Sequence, residues 1–192
     1  MKKRLFLAIN FDDQILKKLA EYKKLVKFAN VNWTKKENLH ITVYFIGNLK
    51  TLLIPDLIEN LNQVFSKTEN FILEFDKILF APPNHTAHMI WAQFKFNKNY
   101  EKLVQNVSKE INQNFNLQQN NNFKDFIPHI TLARFKKVIC TENIRLNQLK
   151  ISNLLIDSCD LMESELNSTG PVYSKIITFK FGEKLESKYE KI

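Results

Sequence analysis

Two of the four histidines in this 192-residue sequence stand in the same setting. His40 lies in Leu39-His40-Ile41-Thr42-Val43 and His129 in Pro128-His129-Ile130-Thr131-Leu132. Both read His, apolar, Thr, apolar, and their separation of 129 − 40 = 89 residues is close to half the chain, as a duplicated unit would give. Along a strand, side chains at i and i+2 share a face. Each imidazole is therefore expected beside its own threonine hydroxyl, with Leu39, Ile41 and Val43 turned to the buried face. Two imidazoles facing each other across a cleft can divide a displacement at phosphorus. One, neutral, takes a proton from the attacking oxygen, and the other, protonated, gives one to the leaving oxygen. An ordinary histidine pKa of about 6.5 keeps both forms accessible near neutrality, so no metal is required to generate the nucleophile. The hydroxyls of Thr42 and Thr131 can donate to non-bridging phosphate oxygens, where charge builds in the transition state.

Arg134 follows His129 by five residues. At that odd spacing it leans to the opposite strand face, unless a bulge or bend near Ala133 redirects it toward the histidine. A guanidinium suits phosphate as a forked donor. Tyr44 shares the expected His40 and Thr42 face and is a candidate to stack on a base, with a core or rim aromatic as the competing reading. Elsewhere, His85 and His88 form His-x-x-His after Pro82-Pro83, with no cysteine or carboxylate pair nearby to complete a metal site. Cys140 and Cys159 lack any motif that would make a nucleophile or a zinc ligand set. No metal and no cofactor is expected.

Hydrophobic periodicity places these residues on a simple plan. Residues 4–10 read as a strand, and Asp12 or Asp13 can cap a helix through Ile15, Leu16, Leu19, Leu25 and Val26. A short extended piece at 31–33 precedes a strand over 39–46, and Pro55 opens a second helix through Leu57, Ile58, Leu61, Val64 and Phe65. The order then returns. A strand over 89–96 leads to a long helix through Leu103, Val104, Val107, Ile111 and Phe115, a strand over 129–135 and a weaker helix from Thr141 or Glu142. Strands over 71–80, 151–162 with interruptions, and 172–181 complete the sheets, and residues 112–122 form an Asn/Gln-rich loop.

A 44% hydrophobic content is enough for a real core, and a net charge of +8 favours a polyanionic partner. Only three glycines occur, so neither a P-loop nor a dinucleotide-binding turn can be written. No apolar stretch is long enough to read as a membrane span or signal segment. Reduced cysteines in a cytoplasm are the easiest reading of the two thiols.

Taken together, these residues resemble the two-histidine phosphoesterases and, within them, the bacterial and archaeal RNA 2′,3′-cyclic phosphodiesterases, once described as RNA ligases acting on 2′,5′ linkages. Arg4-Leu5-Phe6-Leu7-Ala8-Ile9 is similar to the family's opening strand. Val31-Asn32-Trp33 and the stretch from Glu37 through Gly47 resemble its first His-x-Thr-x motif region, and Phe126-Ile127-Pro128-His129-Ile130-Thr131-Leu132-Ala133-Arg134 its second. Leu161-Met162-Glu163-Ser164-Glu165-Leu166, with Gly170 and Tyr173, resembles its closing segment, while Tyr44 and Ile127 depart from the usual residue types. The resemblance implies a bilobal, duplicated α+β fold over residues 1–192 as a single domain, with two mainly antiparallel sheets lining a central cleft and helices outside. It implies hydrolysis of an RNA terminal 2′,3′-cyclic phosphate to a 2′-phosphate without metal, with His40 as proton donor and His129 as acceptor, although the residues alone do not fix which does which. Thr42 and Thr131 carry over as phosphate partners and Arg134 as a substrate contact. The expected partners are RNA ends or oligonucleotides bearing cyclic phosphate, with no membrane and no obligate protein partner, and the chain is taken as a monomer. Activity on 2′,5′-oligonucleotides or small cyclic nucleotides, or an idle RNA-binding module, are the competing readings.

Overall fold

The computed structural model describes residues 1–26, 28, 30–82, 86–115, 126–141, 144–168 and 170–183. Strand β1 (Lys2–Ile9) runs in the interior of a sheet and is buried without interruption from Leu5 to Ile9. Helix α1 (Asp13–Ala20) begins where Asp12 caps it, its carboxylate accepting from the Ile15 N–H at 2.9 Å. A short 3₁₀ turn at Glu21–Lys24 follows, then β2 (Val31–Trp33) and β3 (Ile41–Lys50). Pro55, in the first turn of α2 (Ile54–Phe65), needs no backbone donor there. Next come β4 (Phe71–Leu73), β5 (Phe75–Ala81) and β6 (Thr86–Phe94). The Asn97 side chain starts α3 (Lys98–Phe115) by accepting from the backbone N–H groups of Asn99 and Tyr100, both at 3.0 Å. Strands β7 (His129–Cys140), β8 (Leu154–Ile156), β9 (Ser158–Asn167) and β10 (Gly170–Lys180) complete the chain.

The fold is mixed α+β with antiparallel sheets, as expected. The order β10-β9-β1-β3-β7-β6-β5, with β2 also paired to β7, forms one path, and β4 pairs with β8 separately. This path consists of two half-sheets, because β3 and β7 pair at Ile41 and Ile130 alone. Each motif histidine immediately precedes one member of that pair. On one face of β1, Leu5, Leu7 and Ile9 join α2 and α3 in the main core through Leu57, Leu61, Phe65, Val104 and Ile111. On the other face, Phe6 and Ala8 meet Met162, with Tyr173 packed against them. The helices thus close one side of the sheet and leave the other to the histidines.

Several expected elements are divided or absent. The strand over 71–80 breaks at Glu74 into β4 and β5, and that over 151–162 breaks at Asp157 into β8 and β9, so each pair serves two sheets. The helix expected from Thr141 or Glu142 does not form over 144–153, while Glu142 lies outside the described residues. Strand β5 lies at the end of the sheet, where backbone groups need partners. Gln148 supplies them: its Oε1 accepts from Ile78 N–H at 2.8 Å and its Nε2 donates to Ile78 C=O at 3.1 Å. Leu146, Leu149 and Ile151 pack on the core from the same segment. Residues 112–115 of the expected Asn/Gln-rich loop belong to α3, and 116–122 lie outside the described residues. So do His85 of the His-x-x-His pair and residues 184–192.

Candidate active site

The two motifs share a backbone device that the bare spacing does not reveal. In β3, Ala8 lies opposite Thr42 but Leu7 lies opposite Tyr44, so Val43 is an extra residue in the ladder. In β7, Trp91 lies opposite Thr131 but Ile90 lies opposite Ala133, so Leu132 is extra in the same way. Each insertion is a bulge directly after the motif threonine, and a bulge inverts the alternation of faces beyond it. Val43 and Tyr44 are therefore both buried, as are Leu132 and Ala133. The next residue, Phe45 in one strand and Arg134 in the other, returns to the cleft.

This geometry realises the condition under which Arg134 reaches the histidine side, and it corrects the expectation for Tyr44. Tyr44 is 2% exposed, lies in the main core and donates its hydroxyl to Asn112 Oδ1 at 3.2 Å on α3. Phe45, 50% exposed, takes the place in the cleft expected for it. The bulge that brings Arg134 in is the one that, repeated in the first half, takes Tyr44 out.

Both imidazoles are held alike. His40 Nδ1 lies 2.8 Å from the carbonyl oxygen of Asn38, and His129 Nδ1 lies 3.0 Å from that of Ile127. An Nδ1–H donated to a carbonyl fixes the tautomer and leaves Nε2 as the working nitrogen. His40 Nε2 lies 3.0 Å from Thr42 Oγ1. The surroundings differ. His40 sits among Phe6, at 5.1 Å between ring centroids, and Tyr173, at 5.4 Å and edge-on. His129 lies nearly flat on Trp91, with centroids 3.7 Å apart and planes at 20°.

Both histidines face one cleft of about 750 Å³. Thr42, Thr131, Arg134 and Phe45 line it from the motif strands, Trp33 from β2, Lys35 and Asn38 from the β2–β3 connection, and Ser168, Pro171 and Tyr173 from the β9–β10 hairpin. Asn38 ties two of these walls together by donating to Pro171 C=O at 3.0 Å. Burial depresses both histidine pKa values below the ordinary range, and the charge of Arg134 depresses them further; the carbonyl bonds at Nδ1 work the other way. The charges of His129 and Arg134 reaching His40 place the three groups within electrostatic range of one another.

All four motif residues and Arg134 thus line a single cleft. Sequence reasoning missed Phe6, Trp91, Phe45, Lys35 and Asn38. Phe6 and Trp91 reach the histidines from neighbouring strands, and only strand register could have revealed them. Among the described residues no three His, Cys, Asp or Glu side chains are grouped to hold a metal, and no helix is long and apolar enough to cross a membrane.

A family model described as LigT like phosphoesterase matches residues 9–91. A Thermotoga maritima protein named RNA 2′,3′-cyclic phosphodiesterase is 23% identical over 188 residues, covering 93% of this chain and 95% of its own. A protein of the same name from Methanocaldococcus jannaschii is 23% identical over 178 residues, covering 90% and 98%. Among solved structures, a Thermus thermophilus protein matches with a TM-score of 0.80 at 22% identity, over 93% of this chain and 98% of its own. Escherichia coli LigT complexed with 3′-AMP matches with a TM-score of 0.78 at 17% identity, over 95% and 100%. The family model takes in His40 and Thr42, the relatives and solved structures run through both halves, and the chain is accordingly similar to the LigT-like phosphoesterases over most of its length.

Proposed function

We propose that this protein hydrolyses the terminal 2′,3′-cyclic phosphate of RNA to a 2′-phosphate without metal, using the His-x-Thr pairs as general acid and base. The observation that carries the reading is the matched presentation of His40 and His129, each with Nδ1 tied to a carbonyl and each on the same cleft. The names of the relatives agree with it.

A water oxygen attacks phosphorus while His129 Nε2 takes its proton. The bond from phosphorus to the 3′ oxygen breaks, and protonated His40 Nε2 gives that oxygen a proton. The products are a 2′-phosphate and a free 3′-hydroxyl, with the two histidines left in exchanged protonation states that solvent resets. Thr42, Thr131 and the Arg134 guanidinium donate to the non-bridging oxygens as charge builds there. The bound phosphate anion offsets the burial that depresses His40 and favours its protonated form. Phe45 offers an apolar face for the adjoining nucleotide. The protein acts as a monomer on RNA ends or oligonucleotides in the cytoplasm, where Cys140 and Cys159 stay reduced.

The deciding assay is hydrolysis of a short RNA ending in a 2′,3′-cyclic phosphate, with chelator present, by wild type, His40→Ala and His129→Ala. Each substitution is expected to lower turnover by about 10²–10⁴-fold. Turnover indifferent to both histidines would refute the reading, and turnover confined to 2′,5′-linked or small cyclic nucleotides would reassign the substrate.

A further inference from the structure

A bulge disrupts the ladder locally, so the backbone groups beside it need other partners to stay fixed. Each motif threonine stands at such a point, and in both strands its carbonyl is met by a side-chain hydroxyl from outside the motif. Tyr100 Oη donates to the Thr42 carbonyl at 3.0 Å. Thr34 Oγ1 donates to the Thr131 carbonyl at 2.8 Å, and Thr34 N–H donates to the Leu132 carbonyl at 2.9 Å, across the extra residue itself. Two unrelated residues, on a helix and on a connecting loop, meet the same atom of the two motifs.

We propose that Tyr100 and Thr34 are positioning residues, which hold the backbone at the two bulges and so aim Thr42 with Phe45 and Thr131 with Arg134 into the cleft. This rests on the proposed hydrolysis for its kinetic consequence, but not for its geometric one. Tyr100 is 4% exposed and is absent from the cleft lining, so it acts through Thr42 and not on substrate. Its position is itself fixed, because Asn97 caps α3 by accepting from the Tyr100 N–H. Burial raises the phenol pKa, so the hydroxyl remains a donor throughout the working pH range. The chain of support runs from the Asn97 cap to Tyr100, to the Thr42 carbonyl, and to the Thr42 hydroxyl 3.0 Å from His40 Nε2.

The test compares Tyr100→Phe and Thr34→Val, which each remove a hydroxyl and keep the bulk, with Tyr22→Phe. Tyr22 is buried and donates to the Asn147 carbonyl at 2.8 Å, away from the motif strands, so it controls for the loss of a buried hydroxyl–carbonyl bond as such. Tyr100→Phe and Thr34→Val are expected to lower kcat about tenfold, as small misplacements at a reacting centre do, with a smaller change in KM for Tyr100→Phe. Tyr22→Phe is expected to lower Tm and leave kcat alone. The second readout needs no substrate: the His40 imidazole titration, followed by NMR, is expected to move in Tyr100→Phe and stay in Tyr22→Phe. Wild-type kcat and an unmoved His40 titration in Tyr100→Phe would overturn the proposal, as would wild-type kcat in Thr34→Val. If the wild type leaves the cyclic phosphate intact, the hydrolysis reading fails, and the His40 titration alone decides the positioning role.

Discussion

The strands β3 and β7 carry one device with two different outcomes. In both, a histidine tied through Nδ1 to a carbonyl two residues back is followed by a threonine, a bulge and a residue returned to the cleft. In β3 that returned residue is Phe45, and the histidine is boxed by Phe6 and Tyr173. In β7 it is Arg134, and the histidine lies on the indole of Trp91. The backbone geometry is duplicated while the side chains have diverged, leaving one wall aromatic and the other cationic. On the proposed reading a symmetric frame would serve an asymmetric substrate: an anion needs donors and charge, and the apolar body attached to it needs a flat apolar face.

The contrast is sharpest at Arg134 and Phe45, which occupy equivalent positions. Arg134→Ala is expected to lower kcat/KM about 30-fold, as the loss of a charge-assisted donor does, with kcat itself falling. Phe45→Ala is expected to lower it about fivefold, and through KM, since only stacking area is lost. Steady-state kinetics on a short cyclic-phosphate RNA separates the two, and equal effects on the same parameter would end the distinction between the walls.

A pH profile sharpens the comparison further, because Arg134 acts on both histidines. Burial and the guanidinium hold both pKa values below 6.5 in the free protein. The acid limb of kcat/KM requires a neutral base and the alkaline limb a protonated acid, so both limbs lie low and the optimum falls on the acid side of about 6.5. The limbs belong to the coupled pair and not to one residue each. Arg134→Ala removes a depressing charge, so the profile is expected to move toward higher pH. The same shifts give stability its sign. A histidine that binds its proton less readily when folded contributes stability present above its unfolded pKa and lost as pH falls through the folded value. Denaturation midpoints are therefore expected to fall on acidification below about 6.5, less so in Arg134→Ala.

That the two motifs share one cleft was legible in the sequence, for a physical reason. His-x-Thr is a local pattern, and two residues of strand separation suffice to put both side chains on one face. The bulges are not local. Val43 and Leu132 become extra only against the register of β1 and β6, and register depends on partners far along the chain. Arg134 was readable as a conditional, since its odd spacing demanded a bulge. Tyr44 stood at the position of Ala133 and needed the same condition applied in reverse. Phe6 and Trp91 illustrate the same limit: both are cross-strand neighbours of the motifs, and nothing adjacent in sequence announces them. Periodicity found helices α2 and α3 and the start of α1, but α1 ends at Ala20 short of the expected Leu25 and Val26, and the segment after Thr141 forms no helix over 144–153 and instead sets the Gln148 amide against Ile78.

That segment also separates the halves, and it yields the smallest of the expected effects. After its motif strand the first half continues into α2, whose apolar face joins the core. After β7 the second half instead lays Gln148 along β5, using one amide to complete both the donor and the acceptor of Ile78. Gln148→Ala leaves two part-buried backbone groups without that partner, a loss of about 1–2 kcal/mol. The cost is expected in the urea midpoint, with the denaturant slope kept and turnover on the cyclic-phosphate RNA at the wild-type level, since Gln148 is absent from the cleft lining. A changed slope would mean that the segment detaches as a unit. Falling turnover at unchanged stability would instead tie the end of the sheet to the motif strands, and the two halves could no longer be treated as one shared catalytic frame with separately finished edges.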